Sequence, residues 1–540
     1  MKETIDCLLI GHNEMDINTV AENVKIFGEE SSTFREFGYQ YIQHNNKKFS
    51  FADIYNYVRR NYDPNYTERK ELNMSSIFPL NIAYLGTFME RRNLTYDYVY
   101  SFQPQKEKLI SILKTKEVLT IAITTTLYTH IYPIEEIVNF VKQYNDSAKI
   151  IVGGPFVANK IKDNEETALR YFNIIGADVY IYSSQGEAAL VNTINCIKYD
   201  GDLRKVKNIY FKENDDFIAT AVETENNNLE HNTVNWQLFR DELPNLANSR
   251  SAISCPFTCS FCGFPERAGK HYTISVEAFE KELNTLRDTN VKSIYIVDDT
   301  FNIPQERFKE IMRMMIRNKY EFRWNSYFRI QYADRETVDL MAEAGCEGVN
   351  LGLESGNQQI LNNMNKKVTV EAYKRGLELL SEYKFLKMAT FIIGFPGETE
   401  ETVNETAAFI EESGLDYYTL LLWFCDPITP IYREKERFGI KGSQFNWSHS
   451  TMDSNTAVDH LDKIFLNTKN PTFLSPNTLV NQLPFALNHQ EKMNHVQIKK
   501  VIKCFADGIA EKLVGTQRDK NISPQLFDKL CSAILNQDQR

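Results

Sequence analysis

Long apolar runs are missing from this 540-residue chain. The longest, such as Thr419–Cys425, fall far short of the roughly 20 residues a membrane-spanning helix needs. The opening Met1-Lys2-Glu3-Thr4-Ile5-Asp6 lacks a signal-peptide pattern. A basic surplus is missing too. Lys and Arg number 61 against 72 Asp and Glu, a net charge of −11, which speaks against general nucleic-acid binding but not against a local basic patch. Cysteine is sparse: nine residues with a single dense group do not make a disulfide framework. These absences together predict a soluble, cytoplasmic protein, with neither membrane nor nucleic acid among its partners.

What remains is ordinary globular material, 42% hydrophobic and 25% charged. The length fits two to four domains with ample cores.

The dense group is Cys255-Pro-Phe-Thr-Cys259-Ser-Phe-Cys262. Closely spaced thiolates hold iron–sulfur clusters, commonly four to a cluster; three would leave one iron open to another ligand. A structural zinc site takes four ligands as two separated pairs, and no second pair follows. Chance clustering is the remaining alternative.

Upstream, short apolar strands alternate with helices. Strands are expected at Ile5–Gly11, Leu94–Tyr100, Val118–Thr124, Ala148–Val152 and Gly176–Tyr182, with helices at Pro79–Arg92, Lys106–Leu113, Ile134–Gln143 and from Glu187 through Ile197. Residues 14–75 read as an inserted excursion with short helices. This alternation predicts a parallel, doubly wound sheet, whose ligands sit beyond the carboxyl ends of its strands. Gly11, Thr124 to Thr126, Gly153-Gly154 and Gly186 fall at those ends. A hairpin within Val206–Thr220 and the polar run Glu223–Asn232 read as a linker.

Downstream, strands are expected at Arg250–Ser254, Lys292–Val297, Phe322–Ile330, Gly348–Leu353, Lys387–Ile393 and Tyr417–Phe424, with helices between them. Six such units suggest a partial (β/α)6 barrel, with its site at the carboxyl ends. There lie the Cys loop, Asp298-Asp299-Thr300, Arg329, Glu354-Ser355-Gly356 and Gly394-Phe395-Pro396-Gly397-Glu398. The tail reads as helices at Ala457–Leu466, Ser475–Leu487, Gln497–Leu513 and Pro524–Leu535. Cys504 and Cys531 fit helix packing there, and Cys425 sits at a strand end.

Cys-x3-Cys-x-aromatic-Cys, with Phe261 at the aromatic position, resembles the signature of radical S-adenosylmethionine (SAM) enzymes. The upstream sheet, with Gly-Gly-Pro after its fourth strand and Gln-Gly-Glu after its fifth, looks like the cobalamin-binding domain that precedes many radical SAM domains. The resemblance implies a [4Fe–4S] cluster on Cys255, Cys259 and Cys262, with SAM chelating the open iron, and an external electron donor of flavodoxin or ferredoxin type. It places Glu354 at the ribose of SAM, and Gly394 and the backbone of Phe261 at the adenine. Asp298 and Asp299 stand where the family carries Gly-Gly-Glu at SAM's amino end, or else they cap a helix. Arg329 is a partner for SAM's carboxylate or part of a structural ion pair. Cobalamin would meet Thr125, Thr126, Gly153, Gly154, Gly186 and Glu187; the alternative is a flavodoxin-like remnant that binds nothing. The family's Asp-x-His-x-x-Gly is absent, since His12 lacks its flanking Asp and Gly, so no protein imidazole is expected on cobalt's lower face.

The division expected is 1–200 cobalamin-binding, 201–245 linker, 246–445 radical SAM and 446–540 helical. The leading function is a cobalamin-dependent radical SAM methyltransferase acting on a small-molecule or peptide substrate in natural-product biosynthesis. Asp6–Met15 and Trp447–Asp453 resemble the phosphinate P-methyltransferase branch. Trp447 and His449 line a substrate pocket or pack the junction. The rivals are a cobalamin-binding cyclase or rearranging enzyme, and a non-catalytic sensor.

Overall fold

The computed structural model describes residues 2–64, 66, 71–183, 185–214, 216–225, 227–476, 479–514 and 520–535. Among these residues two large sheets dominate, of seven and eight strands.

In the first sheet five parallel strands run in the spatial order Tyr96–Ser101, Glu3–His12, Lys116–Thr124, Lys149–Gly153 and Val179–Ile181. In chain order that is 2-1-3-4-5, the flavodoxin-like arrangement, whose switch point lies between the first and third strands. The apolar runs make the strands, because helices cover both faces: Cys7, Leu8, Leu9 and Ile10 have no exposed surface. The hairpin Ile209–Glu213 and Asp216–Ala219 corrects the linker reading. Its first strand pairs antiparallel with Val179–Ile181 and extends the sheet; Asp215, in its turn, lies outside the described residues.

The second sheet holds five of the six expected strands, Ser293–Ile296, Arg323–Tyr327, Cys346–Glu354, Leu386–Ile393 and Tyr417–Leu422, and its first strand is Leu246–Ser249 rather than the expected Arg250–Ser254. It does not close. Two short parallel strands end it, Ile77–Phe78 beside the first and Thr472–Phe473 beside the last. The first strand ends earlier than the sequence suggests. Ser251 and Ala252 turn their N–H groups onto the Asp298 carboxylate, which draws the chain off the sheet, and Ala252–Ile253 pairs instead with Tyr272–Thr273.

The excursion and the tail pack as one helical body. Helices Ile17–Lys25, Ser32–Phe37 and Phe51–Tyr62 lie in the excursion. The buried Arg35 guanidinium bonds Asp459 and Asp462 at 2.6 and 2.9 Å. Lys512 donates to the carbonyls of Gly38 and Tyr41, and His44 stacks on Phe527 at 3.9 Å. The tail helices are Ser454–Asn467, Leu483–His489, His495–Leu513 and Pro524–Ile534. The helix expected over Ser475–Leu487 begins only at Leu483, after a single 3-10 turn at Leu479–Asn481; residues 477 and 478 lie outside the described residues.

Candidate active site

The carboxyl ends of the two sheets face one another across a cavity of about 450 Å³. The first sheet contributes His12, Thr124, Thr126, Gly153, Gly154 and Gly186; the second contributes Asn248, Arg250, Tyr295, Val297 and Tyr327. Large ligands of doubly wound sheets bind in this position.

Of the residues expected at the cobalamin site, Thr126, Gly153, Gly154, Gly186 and Glu187 line this cavity. Thr125 does not. Its N–H and Oγ1 both donate to the Gly153 carbonyl, at 2.9 and 3.0 Å, and it braces the turn from beneath. Gly154 has φ +118° and ψ −168°, a conformation essentially confined to glycine, and an added Cβ would lie 2.9 Å from Thr125 Oγ1. Glu187 opens the helix Glu187–Lys198 and accepts from Asn227 Nδ2 at 2.6 Å; burial raises its pKa. His12 stands at the end of the first strand, at the switch point. It stacks on Tyr128 at 5.2 Å, and its buried Nδ1 has no partner. Burial pulls its pKa down to about 4, so it is neutral at physiological pH. A wall of glycine backbone and small hydroxyl side chains with a neutral imidazole fits a broad, largely uncharged ring system bearing amide groups.

The cysteines lie on the loop that leaves the second sheet's first strand. Cys259 is buried, while Cys255 and Cys262 are partly so. Arg329 Nη2 donates to Cys259 Sγ at 3.2 Å, and the Phe264 N–H donates to Cys262 Sγ at 3.4 Å. Burial raises the Cys255 thiol and pushes Cys262 up to about 11. Thiolates here therefore need the cation and the N–H donors around them, which is what an anionic cluster would use. Among the described residues no three His, Cys, Asp or Glu side chains converge as the ligands of a single ion would. The corners of a cubane make no such demand, because each thiolate takes a different iron.

Arg329 is buried and stacks on Phe257, with 3.5 Å from guanidinium carbon to ring centroid. The structural ion pair, one of its two readings from sequence, is not made among the described residues: its head is on a cysteine and on the Lys366 carbonyl. Glu354 sits at an irregular register of its strand with φ +67°. One of its oxygens accepts from Lys366 Nζ at 3.0 Å, and both side chains are almost wholly buried. Lys366 also lies 5.4 Å over the Phe261 ring. Sequence reasoning missed this lysine, since nothing local in Asn365-Lys366-Lys367 sets one lysine apart from the other.

Asp298 does not face the site. Both its oxygens are taken, by the Ser251 N–H and Oγ at 2.7 and 2.6 Å and by the Ala252 N–H at 3.0 Å, so it braces the Cys loop. Asp299 is the solvent-accessible one of the pair. It bears electrostatically on Cys255, Cys262, Tyr295 and Tyr327. Desolvation first, and Asp298 next, push its pKa up to about 7.

Gly394 has φ +87° and donates to Glu398 Oε2; its carbonyl meets His449 Nε2 at 3.1 Å. A Cβ there would strike Trp447 at 2.5 Å. Trp447 is buried, donates to the Trp423 carbonyl at 2.8 Å and stacks on His449 at 5.2 Å. These two residues pack behind the turn and do not line the cavity between the sheets. Cys425 is likewise buried packing, 3.8 Å from the Gly442 carbonyl.

Residues 252–410 match the family model described as the radical SAM superfamily. An uncharacterized methyltransferase of Pyrococcus horikoshii is 23% identical over 354 residues, covering 63% of this chain and 74% of that protein. The anaerobic magnesium-protoporphyrin IX monomethyl ester cyclase of Cereibacter sphaeroides is 25% identical over 383 residues; the match covers 66% of this chain but only 60% of the cyclase. Among solved structures, the radical SAM methyltransferase TsrM from Kitasatospora setae, with cobalamin and a [4Fe–4S] cluster bound, superimposes with a TM-score of 0.55 at 18% identity, covering 66% of this chain and 74% of that one. OxsB, a cobalamin-dependent SAM radical enzyme with aqua-cobalamin and SAM bound, gives 0.55 at 14% identity, covering 99% of this chain and 80% of that one. These structural likenesses are likenesses of fold.

Proposed function

The chain carries a radical SAM domain, and on that premise we propose that it is a cobalamin-dependent radical SAM methyltransferase with a small-molecule or peptide substrate. The observation that carries this reading is the shared cavity: the glycine-lined ends of the flavodoxin-like sheet and the second sheet's inner wall enclose one space. Next to it Asp299 links that wall to the cysteines. When bound, the cluster with SAM supplies a hydrogen-abstracting 5′-deoxyadenosyl radical and cobalamin supplies methyl transfer. The chain's own residues position and shield. Cys255, Cys259 and Cys262 would hold the cluster, with Arg329 offsetting its negative charge. Glu354, fixed by Lys366, keeps its second oxygen for the ribose hydroxyls. Phe261 and the turn at Gly394 would flank the adenine. Asp299 would meet SAM's amino group, since Asp298 is engaged by Ser251 and Ala252. Thr126, Gly153, Gly154, Gly186 and Glu187 would line the corrin. No acid–base side chain is needed for a radical step, so positioning and exclusion of competing chemistry are the protein's contribution. An electron donor of flavodoxin or ferredoxin type and a cytoplasmic setting belong to the same reading. So does the phosphinate or natural-product specificity suggested by Asp6–Met15 and Trp447–Asp453.

A cyclase or rearranging activity is the second reading, favoured by the named cyclase among the relatives. Cofactor loading tests what both readings share. Anaerobically reconstituted protein should retain about four iron per chain together with one corrinoid. Replacing Cys255, Cys259 and Cys262 with Ala should remove the iron and leave the corrinoid. Gly154→Ala should do the reverse. Full iron retention in the triple variant, or no corrinoid uptake by the unaltered chain, would defeat the proposal.

A further inference from the structure

On the second sheet's side of the cavity, register places Asn248 beside Tyr295 and Tyr327 beside Asn350. Arg250 follows two residues after Asn248 and lines the same space. Several polar atoms in this wall are buried without a partner: Asn248 Oδ1, Arg250 Nε and Tyr295 Oη. Buried polar groups in native proteins are nearly always paired, so a cluster of orphans facing a cavity marks where a ligand's polar atoms go. Tyr295 itself is 5% exposed.

Arg250 is the most telling member. Its guanidinium packs over the Tyr84 ring at 4.4 Å, and among the described residues it has no carboxylate within ion-pair distance. The acidic groups that act on it are Glu187 across the cavity and Glu282 behind the strand. Both are engaged elsewhere. Glu187 accepts from Asn227, and Glu282 accepts from Ser249 Oγ at 2.6 Å and the Val234 N–H at 3.0 Å. A half-buried guanidinium whose Nε has no partner, stacked on an aromatic face, is an arrangement that suits capture of an oxyanion.

We propose that Arg250, with Tyr295 and Asn248, forms a substrate subsite for an acidic group of the carboxylate class. The proposal rests on the reading that the reaction takes place in this cavity, and it narrows the substrate to molecules carrying such an oxyanion. The same chemistry occurs in the phosphate of cobalamin's nucleotide arm, so the test separates the two sources.

Propionate, propionamide and propylammonium have the same size but differ in charge. Their binding to the cobalamin-loaded protein is read from broadening of probe proton signals by Co(II). Propionate should bind at least about ten-fold more tightly than propionamide, the scale of a charge-assisted hydrogen bond. Arg250→Gln should erase that preference, Arg250→Lys should restore part of it, and Tyr295→Phe should weaken propionate alone. Arg250→Gln protein should take up cobalamin and cobinamide, which lacks the phosphate, as readily as the unaltered chain. Equal binding of propionate and propionamide would overturn the proposal. So would loss of cobalamin but not cobinamide in Arg250→Gln, which would make Arg250 a reader of the cofactor's phosphate. If the unaltered chain takes up no corrinoid, the functional reading fails by itself. The subsite is then judged by saturation transfer from the corrinoid-free protein to the same probes, with the same preference expected.

Discussion

Lys366 and Glu354 are each almost wholly buried, and each makes the other tolerable. Truncating one partner of such a pair strands the other charge in a poorly solvated place, at a cost of about 3 kcal/mol or more. Gly352 leaves room for the pair: a Cβ there would meet Glu354 Oε1 at 2.6 Å and Lys366 Nζ at 3.3 Å. The carbonyl of Lys366 also accepts from Arg329, which reaches Cys259. The lysine therefore ties the Glu354 carboxylate to the cysteine loop. Lys366→Met should lower the thermal midpoint and raise KM for SAM by about ten-fold, the scale of one displaced charged hydrogen bond, while the iron content stays that of the unaltered chain. A KM left unchanged would mean that Glu354 needs no such anchor. Glu354 itself was legible in Gly-Leu-Glu-Ser-Gly. Lys366 was not, because only the fold reveals which of two adjacent lysines turns inward.

The strands of the second sheet were legible as apolar runs, and their ends carried the motifs. What the runs could not tell was which of two neighbouring polar residues stays accessible. Asp298 and Asp299 are chemically alike, and only the pull of Ser251 and Ala252 on the first frees the second. The turn after Leu386–Ile393 shows a similar division. Glu398 is fully buried, with Oε2 accepting the Gly394 and Phe395 N–H groups and Oε1 without a partner. Burial raises its pKa from the ordinary 4.5 to about 8. A carboxyl whose folded value lies above its unfolded one holds an extra proton in the folded state. Stability is thus retained below about pH 4.5 and falls as the pH rises toward 8. Glu282, buried and pushed up to about 7, contributes in the same direction. Glu398→Gln should flatten part of that fall. Thermal midpoints of the cofactor-free protein between pH 5 and 9 should diverge from pH 5 to about 8 in favour of the variant and run parallel beyond; curves parallel throughout would show that Glu398 is ionised throughout.

At the scale of the whole molecule, chain order misled where sequence separation is greatest. The excursion after the first strand and the tail helices looked like unrelated peripheries, yet Arg35, Tyr39 and Lys512 lock them together across more than 400 residues. Nothing local in either segment signals its partner. Likewise Ile77–Phe78 and Thr472–Phe473 are too short to read as strands, but they form the two edges of the open second sheet. The alternation of strands and helices put a site at the carboxyl ends of each sheet but did not show that the two sets face one another, and the cavity between them is where the two cofactor chemistries would meet. The most direct measurement is the product balance from methyl-labelled SAM with the reconstituted protein and its substrate. The account predicts S-adenosylhomocysteine and 5′-deoxyadenosine in near-equal amounts, with the label on a carbon or phosphorus of the product. Substrate turned over with deoxyadenosine alone, and no label transferred, would contradict it and leave the rearranging reading in its place.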